Sequence, residues 1–312
     1  MELEYEYILT VCETGSFSKA AEKLQMTQPA LSMAIHKAEV RIGRPLFDRK
    51  KRPLQLTVAG RIYIAGITQI KHVEEGMQRQ IQDLDQLLTG SLSIGGSHYL
   101  NARILPPVLS AFNKQYPGIH LHLLESSAAQ LAAMLKEQTV DLTFSCDPVF
   151  LQQFKRYSVF HDQILLAVPA EDAFNQQYAT YTLTAPQTLA GKHLEKNCPR
   201  LPLASLSQLA FILLKPGNNL HDRVGEFFQE AHIMPQIKLE ISQIVTAYHL
   251  AAAGLAATFI CDRVVGKDSS SLRFYALDAP HTDREFYILR PHTAYMPRAA
   301  RAFIAFCRKE LA

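Results

Sequence analysis

The 312-residue chain has no apolar run approaching the ~18–20 residues needed to span a bilayer. Its longest apolar candidate, Leu250–Ile260, is broken by Gly254 and reads as a helix end running into a core strand. The opening stretch MELEYEYILT carries neither a basic leader nor a long apolar segment, so no secretory signal is expected and a cytoplasmic placement is the default. Cysteine is scarce. Cys12, Cys146, Cys198, Cys261 and Cys307 are odd in number and widely spaced, with no C-x-x-C pair. That argues against a disulfide framework or a zinc site and leaves inert thiols as the expectation. Catalytic signatures are missing as well: there is no G-x-S-x-G, no phosphate-binding loop and no H-E-x-x-H. Gly95-Gly96 is too little for a dinucleotide fingerprint, and His120-x-His122 offers only two imidazoles on one strand face. A non-enzyme without cofactor or resident metal is expected.

The net charge of +3 is small, but it is unevenly spread. Between Lys37 and Arg61 there are eight basic residues against two acidic ones, Glu39 and Asp48. A local basic cluster on a near-neutral chain is an electrostatic footprint for a polyanion, or else a solvated basic loop. The length suggests two or three domains rather than one core.

The first ninety residues alternate short helices with tight breaks. Tyr5, Ile8, Leu9, Val11 and Cys12 recur at helical spacing over residues 3–14, and Gly15 ends that helix. Ser16 and Ser18 are N-cap types for a second helix, Lys19–Leu24, whose Ala20 and Ala21 allow another helix to cross closely. Thr27 can cap a third, with Pro29 in its first turn. Leu31, Ile35 and Ala38 form its inner stripe, while Gln28, Ser32 and His36, flanked by Met33 and Lys37, lie opposite. Two helices joined by a tight turn form a helix-turn-helix, whose second helix enters the major groove of DNA. Gln28 suits a bidentate bond to adenine and Ala30 a thymine methyl, while Thr27, Ser32 and Lys37 suit phosphates. Leu46-Phe47 and Leu54-x-Leu56 flank the basic run Arg49–Arg52, which reads as a two-stranded wing with a cationic tip. From Val58 the positions Ile62, Gly66, Ile70, Val73, Met77, Ile81, Leu84 and Leu88 follow at steps of three and four. They form one helical stripe, ended at Thr89-Gly90-Ser91, that calls for a partner such as a second copy.

The run GSFSKAAEKLQMTQPALSMAIHKAEVRIGRPLFDRKKRPLQLTVAG resembles the DNA-binding domain of LysR-type transcriptional regulators almost throughout. The resemblance rests on Gly15-Ser-Phe-Ser18, Ala20-Ala21, Leu24, Gln28-Pro29-Ala30, Ser32, Ile35, Glu39, Gly43, Pro45-Leu46-Phe47, Arg49, Leu56-Thr57 and Ala59-Gly60. It implies DNA contacts from Ser18, Thr27, Gln28, Pro29, Ala30, Ser32, Met33, His36, Lys37, Arg49, Lys51 and Arg52. It further implies dimerisation through the long helix, a two-fold site on double-stranded DNA, a small-molecule effector, contact with RNA polymerase and a homotetramer. Two positions depart from the family pattern. Met33 stands where a basic residue is usual, and Ala38 where leucine is usual.

Beyond Gly90 short apolar strands alternate with helices, which predicts open, mostly parallel sheets. Leu105-Pro106, Tyr116-Pro117, Asp141-Leu142 and Ala252–Leu255 resemble, more loosely, the periplasmic-binding-protein-like sensor of the same family. The expected organisation is an α winged helix-turn-helix domain (1–57), a linker helix (58–89) and a two-lobed α/β effector domain (90–312). Lobe I would comprise 90–162 and 267–312, and lobe II 163–266. Ligands in such sheets sit beyond strand C-termini and near helix N-termini. That places Ser97, His98, Tyr99, Ser126, Ser127, Cys146, Gly217, Asn218, Asn219 and Thr246 at an effector cleft suited to a small anion such as a carboxylate. A redox switch using Cys198, Cys146 or Cys261 is the alternative, and a nucleoid-type DNA binder without ligand response a further one.

Overall fold

The computed structural model describes residues 2–51, 53–82, 90–267, 269–293 and 295–311, and the chain divides into two compact units between Arg79 and Gln80. The first unit opens with α1 (Glu2–Thr14), α2 (Phe17–Lys23) and α3 (Gln28–Ile42). Ser16 caps α2, its Oγ accepting from the Lys19 N–H, while Ser18 lies exposed inside the helix. Thr27 caps α3 by accepting from the Ala30 N–H, and Pro29 occupies the first turn, where its missing N–H costs little. Gly43 ends α3 in the left-handed region at φ 76°. Leu31, Ile35 and Ala38 pack with Ile8, Val11, Ala20, Ala21, Leu46 and Phe47 in one core.

The ribbon is short. β1 (Phe47–Asp48) pairs antiparallel with β2 (Gln55–Leu56). Thr57 then starts α4 (Val58–Gln82): its Oγ1 accepts from the Gly60 N–H at 2.9 Å and donates to the Pro45 carbonyl at 2.7 Å. A Cβ at Gly60 would lie 2.1 Å from the Leu46 carbonyl oxygen, so only glycine lets this helix turn meet the ribbon. α4 sinks Ile67 into the head core and leaves Val58, Ile62, Ile70, Val73, Met77 and Ile81 exposed. The stripe positions Leu84 and Leu88, and the expected end at Thr89, lie outside the described residues.

The second unit runs β3 (Gly90–Gly96), a π-helical turn at Leu100–Ile104, α5 (Leu105–Gln115), β4 (Ile119–Glu125), α6 (Ala128–Lys136), β5 (Leu142–Ser145), α7 (Pro148–Leu151) and β6 (Lys155–Pro169). It continues through α8 (Phe174–Gln177), α9 (Ala185–Leu189), β7 (Leu201–Pro202), β8 (Ala210–Leu214), α10 (Asn219–Glu230), β9 (Gln236–Ile241), α11 (Ile244–Ala252) and β10 (Ala257–Cys261). It closes with β11 (Leu272–Asp278), β12 (Asp283–Arg290) and α12 (Arg298–Glu310). The path β4-β3-β5-β12-β6-β10-β8-β9 makes one curled, mixed sheet bent into two lobes. This departs from the mostly parallel sheets expected. β3, β4 and β5 pair in parallel, as do β8, β9 and β10, but β12 runs antiparallel to β5 and β6, and β10 and β11 run antiparallel to β6.

The reason is β6. Its first half pairs with β12 in one lobe and its second half with β10 and β11 in the other, so a single strand carries the chain across. Residues 155–162 of that strand escape sequence detection because KRYSVFHD mixes polar and apolar positions without a hydrophobic run. Pairing of β11 with residues 165–169 also keeps Leu272–Asp278 in the second lobe. The return to the first lobe therefore falls between β11 and β12, later than the boundary expected at 267.

Candidate functional site

In the first unit, α3 presents Gln28, Pro29, Ala30, Met33, His36 and Lys37 to solvent, with Met33 73% exposed. Thr27 is exposed at the head of the same helix, Lys51 lies exposed beyond β1, and Arg52 lies outside the described residues. Ser32 and Arg49 are less free than the sequence suggests. Arg49 donates from Nη1 to Ser32 Oγ at 3.3 Å and from Nη2 to Glu39 Oε2 at 3.1 Å, and its guanidinium lies 5.0 Å from the Phe17 ring centroid. Glu39 is the residue that motif reading undervalued. Its buried carboxylate also accepts from the Leu46 and Phe47 N–H groups at 2.8 and 3.3 Å. One carboxylate thus ties α3 to the root of the wing, and these partners replace the hydration it loses on burial. In sequence it stood out only as an acidic residue amid a basic stretch and as one position of the family pattern.

In the second unit a cavity of about 360 Å³ opens between the lobes. It brings together Ser97, His98, Tyr99, Ser126, Ser127, Cys146, Gly217, Asn218 and Asn219. Thr246 is not among its lining residues: it lies within α11, whose first residue, Ile244, reaches the cavity together with Ser242 and Gln243. Several expected residues are already engaged. Ser127 caps α6 in a reciprocal capping box with Gln130, and Asn218 caps α10 by accepting from the Leu220 N–H. His98 Nδ1 lies 3.3 Å from both Glu125 oxygens. Cys146 donates to Asn219 Oδ1 at 3.3 Å, a contact across the cavity between the lobes.

The floor of the cavity was not anticipated. Arg284, 5% exposed, donates from Nε and Nη2 to the two oxygens of Asp162 at 2.8 and 2.7 Å. Tyr99 donates to Asp162 Oδ2 at 2.9 Å, and Arg284 Nη2 also meets Cys261 Sγ at 2.6 Å. Arg284 Nη1 takes part in none of these bonds. A bidentate, fully buried pair of this kind is costly to break by removing one partner, on the order of 3–5 kcal/mol. Sequence could not flag it, because Asp162 and Arg284 are far apart in the chain and meet only through the β6–β12 register.

The thiols here are subdued. Burial pushes the Cys146 thiol up to about 11 and Cys261 well above the ordinary value, with Arg284 pulling the other way. Cys198 lies outside the cavity, and burial raises it too. His120 and His122 are exposed on the edge strand β4, and among the described residues no group of three or more potential metal ligands converges. No helix among them is long and apolar enough to cross a membrane.

A winged helix-turn-helix followed by a two-lobed α/β domain with an inter-lobe cavity defines a class: DNA-binding regulators that carry their own ligand-sensing module. Comparison with known proteins narrows the class to a family. Residues 4–61 match the model for "Bacterial regulatory helix-turn-helix protein, lysR family", and residues 85–312 match "LysR substrate binding domain". The chain belongs to the LysR family of transcriptional regulators, and is not an enzyme. It is similar to the uncharacterized HTH-type transcriptional regulator YcgK of Bacillus subtilis, at 29% identity over 98% of this chain and 93% of that protein. YnfL of Escherichia coli is 25% identical over 95% of this chain and 94% of its own. Among solved structures, CbnR superposes with a TM-score of 0.71 at 19% identity, covering 100% of this chain and 99% of that one. CbnR complexed with its target DNA gives 0.69 at 20% identity, covering 99% of each.

The raised thiol value makes a direct prediction. Site-resolved mass spectrometry after iodoacetamide treatment at pH 8 should find Cys146 alkylated about a hundredfold more slowly than an ordinary free thiol, because its thiolate fraction is that much smaller. The rate should climb toward pH 11. Fast labelling at pH 8 would put a thiolate in the cavity and restore the redox reading.

Proposed function

We propose that this regulator binds an inverted-repeat promoter site through two copies of the 1–57 head, paired by the 58–89 linker helix. In this reading it responds to a small anionic metabolite held in the inter-lobe cavity of the 90–312 domain. The observation that carries the DNA half is the exposed α3 face, capped by Thr27 and backed by a cationic wing whose root is fixed by Glu39. Gln28 and Ala30 read bases, Met33 adds an apolar probe, and Thr27, Ser18, His36, Lys37 and Lys51 hold the backbone. Arg49 serves first as the clamp between wing and α3, and its remaining N–H groups face phosphate. With Met33 in place of a cation, less of the affinity comes from charge at that point of the groove.

The effector half rests on the cavity's composition. Two lobes contribute the N-terminal ends of α6 and α10, the amides of Asn218 and Asn219, and Arg284 with Nη1 unclaimed by Asp162. Such donors favour a carboxylate. Binding shifts the lobes by its unequal affinity for their open and closed arrangements, and so the poise of the heads. The sensor domains pair further into a homotetramer, and the altered DNA complex presents a new surface to RNA polymerase. The redox alternative has in its favour only that Cys146 and Cys261 share the cavity; their raised thiol values oppose it.

In a footprint or binding titration, Gln28→Ala should cost roughly 1–3 kcal/mol and relax preference at one base pair. Lys37→Ala should weaken all sequences alike and lower the salt slope by about one. Unchanged footprints for both would overturn the docking. Val73→Asp, on the exposed stripe of α4, should sediment as a monomer, whereas retained dimers would place pairing elsewhere. In a thermal-shift screen of the full chain, metabolite carboxylates should raise Tm while neutral aromatics and amines leave it unmoved; the reverse pattern would remove the anionic reading.

A further inference from the structure

The two strands that floor the effector cavity have a second face. Side chains along a strand alternate sides. In the paired register Arg284 lies opposite Asp162, while Asp283 lies opposite Gln163 and Glu285 opposite His161. Arg284 lines the front cavity, and the buried Asp162 carboxylate is turned to the same side by its bonds to Arg284 and Tyr99. His161, Gln163 and Asp283 bond to one another on the reverse, with His161 Nδ1 and Gln163 Nε2 at 3.1 and 3.2 Å from Asp283. At the end of β10 Cys261 lines the front, and Asp262 and Arg263, in the turn that follows the strand, line the back.

Behind these strands lies a groove of about 630 Å³, larger than the front cavity and likewise walled by both lobes. Its lining is mixed: leucines stand on the walls, and the carboxylates Asp262 and Asp283 are engaged by His193 and by His161 with Gln163. Leu189 and Leu194 from the second lobe are 49% and 57% exposed into solvent, unusual for two leucines facing one groove, and Leu311 from the first lobe lines it too. Two guanidinium groups stand on it. Arg263 is fixed by stacking 4.8 Å from the Phe160 ring centroid and by donating from Nε to the His161 carbonyl at 3.0 Å, which leaves its two terminal nitrogens free of those bonds. Arg308 enters from the last turn of α12. Neither takes part in an ion pair among the described residues. His193, nearly fully buried in the same wall, donates or accepts through Nε2 with Asp262 at 3.0 Å, while its Nδ1 is buried with no partner among the described residues.

A trough with exposed leucines on its walls, its own carboxylates already bonded, and two guanidiniums outside any ion pair among the described residues fits an amphipathic acid, with the carboxylate on the arginines and the hydrocarbon along the leucines. We propose that this back groove is a second ligand site, for a medium-chain aliphatic carboxylate, separate from the effector cavity and on the opposite face of the crossover strands. The site is independent of whatever occupies the front cavity.

Calorimetric titration of the full-length protein with sodium octanoate tests it. Saturable binding with a Kd of about 1 mM or tighter is expected. Arg263→Gln and Arg308→Gln should each weaken it roughly ten- to a hundredfold, as loss of a charged hydrogen bond does. Leu194→Asp, a change at an exposed position, should abolish it, and 1-octanol should bind at least about tenfold more weakly than octanoate. Asn219→Ala, in the front cavity, should leave it unchanged. No saturable heat, a Kd unmoved by the back-groove variants, or loss of binding in Asn219→Ala would each overturn the proposal.

Discussion

The Arg284 guanidinium locked onto Asp162 is the contact on which the regulatory domain is built. It joins β6 and β12 at the level where the chain passes between the lobes, and it draws Tyr99 and Cys261 around it. A charge pair taken out of water is tolerated only if every strong bond is satisfied. That requirement sets the register of the two strands and seats the cavity floor. The same register places Arg284 at the inter-lobe cavity and Asp283, with His161 and Gln163, at the groove behind, where Arg263 and Arg308 also stand.

The head repeats the principle on a smaller scale. Glu39 is a buried acid inside the most basic stretch of the chain, and it holds two wing amides and Arg49 at once. With strands only two residues long, ladder hydrogen bonds cannot orient the wing by themselves. The carboxylate does so, and Gly60 lets α4 close against the same segment. The pose of α3 against the wing therefore depends on a residue buried beneath the helix's exposed face.

Much of this was legible without coordinates. Helical spacing located the three head helices, the caps marked where α2 and α3 begin, and the ordered motif from Gly15 to Gly60 named the family. The alternation of short apolar runs and helices located most strands of the sensor, and the placing of loops beyond strand ends assembled nine of the ten cleft residues named. Local chemistry repeats within a few residues, so a linear reading can find it. The misses share one cause. The first half of β6, the antiparallel partners of β12, the lobe assignment of β11 and the absence of Thr246 from the cavity all depend on which distant segments pair.

The sequence by itself determined that the chain carries a winged helix-turn-helix, a long amphipathic helix and an α/β sensor, because caps, periodicity and turn residues act over neighbouring positions. Only the tertiary structure decided that Arg49 belongs to Glu39 as much as to solvent, and that the sensor cavity is floored by Arg284 held on Asp162. It alone decided that a second groove lies behind the same strands. Those are consequences of burial and of strand register between residues far apart in the chain, where the price of an unpaired buried charge selects the partner and no local pattern records it.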